Sequence, residues 1–368
     1  MIYVITLSAS DNCGSLLQTY ALQYVLQNYL GKEVEILDFS SWKSRQLYAP
    51  LSVLSLKNPI ATMHRIVRLK KIKKEKEEYQ FFREKYLNMT KIKYDCVGKI
   101  QNEDFANDIF ITGSDQVWNV KMSDFSKAFF LCWKAKRKIA YAASMGNTDI
   151  SNYKNKEEMI KWLKDFYRIS VREDKAKRDL QNYTGISVPV LLDPTLLLED
   201  DEWNNLVDNR LVDKTYIFYY SWNYHNQEFN RTVEEFGKKM NLPVYVINLF
   251  RWGVNKPSDY GFSILDKSGP QTYLNLMKHA SYVFVESFHG VIFSYIFRKN
   301  FWLLDQKDFV DIDARLKSIM SLLHMEHRLV HSREDVEYLD TSDISWDSGS
   351  ELKEKRGKSL DFLQEALL

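Results

Sequence analysis

The stretch that most limits what this chain can become is Tyr282 to Ser294, an apolar run cut by Glu286, Ser287, His289 and Gly290, which a buried core does not select. Tyr282 to Val285 is short and β-favouring, and Val291 to Phe297 resumes apolar character at helical length, so the segment reads as strand, sharp turn and helix. Such a turn puts polar side chains at the carboxyl end of a strand. In open α/β sheets ligands collect at that edge, and the next helix start offers N–H groups and a positive dipole to an anion. Taken alone, the same residues also read as a helix cap, Ser287, beside a histidine satisfied by a carbonyl.

The unit recurs. Met1 to Leu7 reads as a strand, Ser8 to Ser15 as a small-residue loop and Leu16 to Leu26 as a buried helix, with Glu33 to Asp38 the next strand. The loop holds one glycine, Gly14, where a dinucleotide-binding fingerprint needs three, and Cys13 reads as structural. Further on, Asp108 to Thr112 leads into Gly113-Ser114-Asp115-Gln116-Val117-Trp118-Asn119, and Lys138 to Ala143 into Ser144-Met145-Gly146. A helix is expected around Lys156 to Tyr167, leading into Ile169-Ser170-Val171-Arg172-Glu173, where Arg172 follows a strand, and a further helix over Asp174 to Asn182 precedes a strand at Val188 to Leu192. Alternation of this kind demands a mostly parallel sheet with its polar loops gathered on one edge.

After the turn at Asp193-Pro194 the pattern starts again. Thr215 to Tyr220, Val244 to Leu249, Ser281 to Glu286 and Phe301 to Leu304 read as strands, and Gln227 to Met240, Gln271 to His279, Gly290 to Arg298 and Asp313 to Leu323 as helices. At 368 residues, two domains are the natural expectation. We place them at 1–196, with a basic helical insert at about 42–101, and at 197–340, followed by a tail helix over 341–368 from about Ser348. The fold class is α/β, with two Rossmann-like domains facing a cleft, the usual seat of a substrate.

Within the insert, Arg65, Arg68, Lys70, Lys71, Lys73, Lys74 and Lys76 crowd a helix-like segment that ends in Glu75, Glu77 and Glu78. This reads first as a solvated, charge-paired helix face; the alternative is a peripheral contact with an anionic membrane surface. Lys+Arg 51 against Asp+Glu 49 gives no reason to expect nucleic acid as a partner. Three scattered cysteines suggest neither a disulfide framework nor a zinc cluster, and no metal is expected. With no signal peptide and no membrane span in view, a cytoplasmic location fits, with the inner face of the membrane as a further option.

Taken together, Gly113 to Asn119, Ala140 to Gly146, Ser170-Val171-Arg172-Glu173, Leu192 to Leu198 and Ser287-Phe288-His289-Gly290, with the opening Asp11-Asn12-Cys13-Gly14-Ser15, resemble the polysaccharide pyruvyl transferase family. The resemblance runs in order from Met1 to about Arg328, except for Trp42 to Gln101. It implies a fold similar to two-domain GT-B glycosyltransferases and transfer of a pyruvyl group from phosphoenolpyruvate to two sugar hydroxyls, forming a cyclic ketal. The acceptor so implied is a cell-surface or exported glycan or its lipid-linked precursor. The first domain is expected on the acceptor side and the second on the phosphoenolpyruvate side, with no cofactor beyond the donor. Where this chain has Ser287, some branches carry an arginine.

Phosphoenolpyruvate is a carboxylate and a phosphate, so its site needs fixed cations and N–H donors. Arg172 is the first candidate and Arg315 the second; Ser287 and the N–H groups of Gly290 and Val291 are candidates for a phosphate cradle. Proton transfer falls to His289, with Asp115 and Glu286 in secondary roles. Asn12 and Ser114 complete the expected substrate contacts, and Trp118 and Trp222 are candidates to stack on a sugar. Two other functions share this cleft: a GT-B glycosyltransferase using a nucleotide sugar, and a catalytically silent glycan binder.

Overall fold

A computed structural model describes residues 1–51, 59–207, 209–222, 224–252, 255–265, 267–342, 346 and 349–368. Residues 52–58 of the expected insert and Ser348, the expected start of the tail helix, lie outside the described residues.

Short apolar strands build two sheets. The first contains β1 (Ile2–Ile5), β2 (Val34–Phe39), β3 (Met89–Tyr94), β4 (Ile109–Gly113), β5 (Arg137–Ala143) and β6 (Arg168–Val171), all parallel, in the order β3-β2-β1-β4-β5-β6. The second contains β7 (Ile217–Tyr220), β8 (Val244–Val246), β9 (Ser263–Ile264), β10 (Tyr282–Val285), β11 (Asn300–Leu304) and β12 (Leu329–Val330), in the order β12-β11-β10-β7-β8-β9. The two orders are one topology. In each sheet the first strand lies beside the fourth, Val4 opposite Ile111 in one and Tyr219 opposite Phe284 in the other. The winding reverses between those strands, which opens a crevice at their carboxyl ends.

Three edge strands, β3, β9 and β12, were not singled out by the sequence pattern. β3 lies inside the insert and pairs only with β2, so most of its side chains face solvent and its alternation is weak. Conversely, Val188 to Leu192 is apolar but forms a single bridge, Val190 with Val171, rather than a strand. Pro189 at the sheet edge has no N–H to extend the pairing.

The helix Cys13–Tyr24 ties the halves together. Its Leu17 and Leu22 belong to one buried cluster with Leu274, Val291 and Phe293 of the second half and Leu363 of the tail. The helix Leu69–Tyr86 buries Ile72, Glu75, Tyr79 and Phe82 at helical spacing, and its other face exposes Lys70, Lys71, Lys73 and Lys74. The tail helix, Gly349–Leu367, returns to the first part: Arg356 donates to the Leu196 carbonyl at 2.9 Å and Ser359 Oγ accepts from Leu192 N at 3.1 Å. Among the described residues no helix is long and apolar enough to cross a membrane. Two doubly wound parallel sheets whose loop edges meet make the architecture GT-B-like.

Candidate active site

The site begins at Asp193, just after the apolar Val188 to Leu192 segment. Its side chain caps the turn Pro194–Leu196, with Oδ1 accepting from Thr195 N at 3.0 Å and Thr195 Oγ1 at 2.7 Å. That leaves Oδ2 for the cleft. There it accepts from Arg172 Nη1 at 2.6 Å and Ser114 Oγ at 2.8 Å, while His289 Nε2 stands 3.5 Å away. Burial works against ionising Asp193, but the charges of His289 and Arg172 outweigh it and hold the carboxyl far below the usual range. Three chain segments distant in sequence, ending β4, β6 and β10, converge on one carboxylate.

Arg172 leaves β6 and is almost fully enclosed, its guanidinium 4.2 Å over the Phe288 ring. One of its edges is spent on Asp193. Its Nε and Nη2 have no hydrogen-bond partner, and Nη2 lies 3.8 Å from Asp115 Oδ1, too far for a hydrogen bond. His289 Nε2 is also buried without a hydrogen-bond partner. Asp115 takes a positive φ of 67°, which Asp tolerates better than most residues. That turn aims Oδ2 at Ser15 Oγ, which donates at 2.5 Å, and Oδ1 at its neighbour's Gln116 N at 2.9 Å.

The opening motif meets His289 directly. Asn12 caps the helix Cys13–Tyr24, accepting from Gly14 N at 2.9 Å and Ser15 N at 3.3 Å. A Cβ on Gly14 would fall 2.3 Å from His289 Nδ1, so only glycine lets this helix start approach the imidazole. Asn12 therefore acts on the site through the helix it starts. Burial pushes the Cys13 thiol up to about 12, so it stays protonated.

The remaining expected residues sort by contact. Ser287 caps the helix Phe288–Ile296; Gly290 N donates to its Oγ at 3.1 Å and Val291 N to its carbonyl at 3.1 Å. The N–H groups expected to cradle a phosphate are thus already bonded within the turn, and the capping role accounts for Ser287. Gly290 is glycine because a Cβ there would sit 2.7 Å from Val285 Cβ. Glu286 turns to Tyr219, whose hydroxyl donates to Oε1 at 2.7 Å, and burial raises its pKa to about 7. Arg315 forks onto Asp313 with two 2.8 Å bonds. Its charge still reaches Asp115 and Glu173. Trp118 corrects the expectation of a sugar platform: it is fully enclosed, stacked 5.6 Å from Phe130 and donating to the Phe129 carbonyl at 3.1 Å.

The site therefore gathers Arg172, His289, Asp115 and Ser114 from the expected set. Asp193, Thr195, Ser15, Gly14 and Glu173 join them without having been singled out for a role. Glu173 is wholly buried; it accepts from Met145 N at 2.8 Å and Ser144 Oγ at 3.0 Å, fixing the loop after β5. Burial raises its pKa against the pull of Arg172 and Arg315. The signal for Asp193 was present, in a polar residue that ends an apolar run ahead of proline, but it read only as a turn.

A family model described as polysaccharide pyruvyl transferase matches residues 12–308. No curated protein matches the chain. Among solved structures, a putative UDP-N-acetylglucosamine 2-epimerase from Listeria monocytogenes aligns with a TM-score of 0.53 at 12% identity, covering 98% of this chain and 90% of that one. The UDP-GlcNAc 2-epimerase from Neisseria meningitidis bound to UDP-GlcNAc gives 0.53 at 10% identity, covering 100% and 99%. The enzyme of that name from Methanocaldococcus jannaschii gives 0.51 at 10%, covering 100% and 99%. At these identities the likeness is one of fold.

Proposed function

Since the chain belongs to the polysaccharide pyruvyl transferase family, we propose that it transfers the pyruvyl group of phosphoenolpyruvate to two hydroxyls of a glycan, closing a cyclic ketal. The observation that carries this reading is the set of unclaimed donors around Asp193: Nε and Nη2 of Arg172 and Nε2 of His289. A guanidinium has two usable edges, and Asp193 occupies only one. The other suits the carboxylate or phosphate of the donor, in a setting where charge-assisted bonds are strong. Because those atoms are enclosed, the donor reaches them when the two halves part. Arg172 and Asp193 come from the first half of the chain and His289 from the second, so donor binding draws on both.

In this reaction C3 of the enolpyruvyl group gains a proton while a sugar hydroxyl adds to C2. The bond from C2 to the phosphate oxygen then breaks, and a second hydroxyl closes the ring. One hydroxyl proton ends on the new methyl group and the other on the departing phosphate. His289, with the Asp193 carboxylate beside it to stabilise an imidazolium, is the group to deliver the proton to C3. In this reading Asp115, which accepts from Ser15 Oγ, takes the proton of a sugar hydroxyl.

We also infer a place for the protein at the inner face of a membrane, in the reducing cytoplasm where free thiols persist. In support, the helix Pro59–Val67 exposes Met63, Ile66 and Val67 at 63%, 54% and 81%, directly before the exposed Lys70, Lys71, Lys73 and Lys74. Apolar side chains flanked by lysines suit an anionic lipid surface.

The test is a thermal midpoint of the purified chain with phosphoenolpyruvate and, separately, with uridine diphosphate. A ligand at a hundred times its dissociation constant adds about 2.7 kcal/mol. A rise with phosphoenolpyruvate that is lost in Arg172→Ala, followed by phosphate release with a glycan acceptor, is expected. A rise with uridine diphosphate alone would replace this reading with nucleotide-sugar transfer.

A further inference from the structure

Phosphoenolpyruvate carries two oxyanions, and the cluster around Asp193 has one free guanidinium edge to give them. Arg315 is held by Asp313, and the Gly290 and Val291 amides by their own turn, so the second oxyanion finds no free cation there. A cavity of about 490 Å³ adjoins the cluster, and Arg172, Asp193 and Phe288 belong to its lining. It lies between the helix Asp174–Thr184 of the first half and the helix Ala314–Leu322 of the second, with Glu351 and Lys355 of the tail helix alongside.

Five Lys and Arg side chains line this cavity against three Asp and Glu. Most of them are spoken for. Arg172 pairs with Asp193, Lys175 donates to Asp179 at 2.7 Å and to the Thr148 carbonyl at 2.6 Å, and Lys355 lies 3.9 Å from Glu351 on its own helix. Two cations are left without a carboxylate among the described residues. Arg178 makes no hydrogen bond or ion pair there, and Lys317 donates to the Val310 carbonyl at a long 3.4 Å. The acid that remains, Asp174, is exposed, so water and salt screen it. Arg178 comes from the first half and Lys317, half-buried, from the second, so the two walls of the cavity each bring one available charge.

Resting on the pyruvyl-transfer reading, we propose that Lys317 and Arg178 seat the phosphate of phosphoenolpyruvate in this cavity, while the free edge of Arg172 takes its carboxylate. A guanidinium edge matches a planar carboxylate with two parallel bonds, and an ammonium serves a phosphate as a point charge. The reaction sets the same order. The carboxylate stays on the ketal, whereas the phosphate departs and has to reach water, so the leaving group belongs on the side of the exposed Arg178 and the retained group on the enclosed Arg172. Lys317 and Arg178 are thus the residues that select a phosphorylated donor over the same acid without its phosphate.

The experiment is calorimetric titration of the full chain with phosphoenolpyruvate, pyruvate and inorganic phosphate. It compares the native protein with the double variant Arg178→Gln, Lys317→Gln and with Lys177→Gln, an exposed lysine on the same helix as Arg178 but outside the cavity lining. In the double variant phosphoenolpyruvate is expected to lose about tenfold or more in affinity, the loss of charge-assisted contacts. Inorganic phosphate should weaken with it, and pyruvate should stay within about twofold. Lys177→Gln should leave all three within about twofold, and the urea midpoint of the double variant should not move, since both side chains are replaced without touching the core. Phosphoenolpyruvate binding the double variant within twofold of the native chain, or losing as much in Lys177→Gln, overturns the proposal. So does a loss confined to pyruvate, which would put the carboxylate on these cations instead. Failure of phosphoenolpyruvate to bind the native chain sinks the pyruvyl-transfer reading itself. In that case inorganic phosphate lost in the double variant keeps the cavity as an oxyanion site, and phosphate binding that is absent or unchanged removes it.

Discussion

Gly14→Ala places a methyl group where the two halves of the molecule touch. The new Cβ would lie 2.3 Å from His289 Nδ1, 2.5 Å from Cγ and 2.8 Å from Cβ. Carbon contacts settle at about 3.5 Å or more, so the imidazole must withdraw by about 1 Å. Rotating the ring does not suffice, because the His289 Cβ is itself too close; the start of the helix Phe288–Ile296 has to shift or the halves have to separate. Overpacking of this kind costs about 1–3 kcal/mol. It also moves Nε2, now 3.5 Å from Asp193, and a displacement of about 1 Å near the chemistry can lower turnover about a hundredfold. The assay is a four-protein cycle of urea midpoints: native, Gly14→Ala, His289→Ala and the double variant. His289→Ala removes the two closest atoms, Nδ1 and Cγ, but leaves Cβ at 2.8 Å, so the cost of Gly14→Ala in that background should fall by about 0.5 kcal/mol or more without vanishing, a coupling of the size seen for residues in contact. An equal cost in both backgrounds would show that the helix start and the imidazole do not press on each other, and would remove the contact from the account of the site.

Asp193→Asn leaves Arg172 buried with its closest counter-ion gone, which should destabilise the chain by about 3–5 kcal/mol; a midpoint unchanged in chemical denaturation would show that Asp115 suffices as the partner. Glu286 has a pKa raised by burial from 4.5 to about 7. The protonated form is therefore the one the fold prefers. Its stabilisation is whole below about pH 4.5 and is lost as pH rises through about 7, a change of about 3 kcal/mol. Glu286→Gln should gain on the native protein by that order between pH 5 and pH 8, and parallel stability curves would refute the assignment. Replacing Lys70, Lys71, Lys73 and Lys74 by Glu should abolish flotation with anionic vesicles, at about 1 kcal/mol for each lysine near the surface; equal flotation of native and variant chains would end the membrane proposal.

Much of the site was legible because its residues interrupt apolar runs. Arg172, Ser114 and Asp115 stand directly after short β-favouring segments and His289 at the start of the helix that follows one, and the rule that the carboxyl edge collects function applied to each. Asp193 was harder to see, since it follows an apolar stretch that never becomes a full strand, and its role appears only when Arg172, Ser114 and His289 arrive on the same oxygen. Asp124 gave no sequence signal at all. It sits among ordinary loop residues, and what marks it is a buried Oδ1 with no hydrogen-bond partner, a feature that exists only once the surroundings are folded.

The sequence alone determined the alternation of strand and helix, the division into two α/β halves and the edge on which polar residues gather. These follow from local periodicity and short-range steric preference, which adjacent residues carry with them. The tertiary structure decided the rest. It turned Trp118 into core, bound the Gly290 and Val291 amides within their own turn, drew Arg315 to Asp313 and pointed Glu286 at Tyr219. Each of these outcomes depends on which group, remote in the chain, satisfies a buried donor, acceptor or ring face first. That competition is settled by packing between segments as far apart as Gly14 and His289, and no window of neighbouring residues contains it.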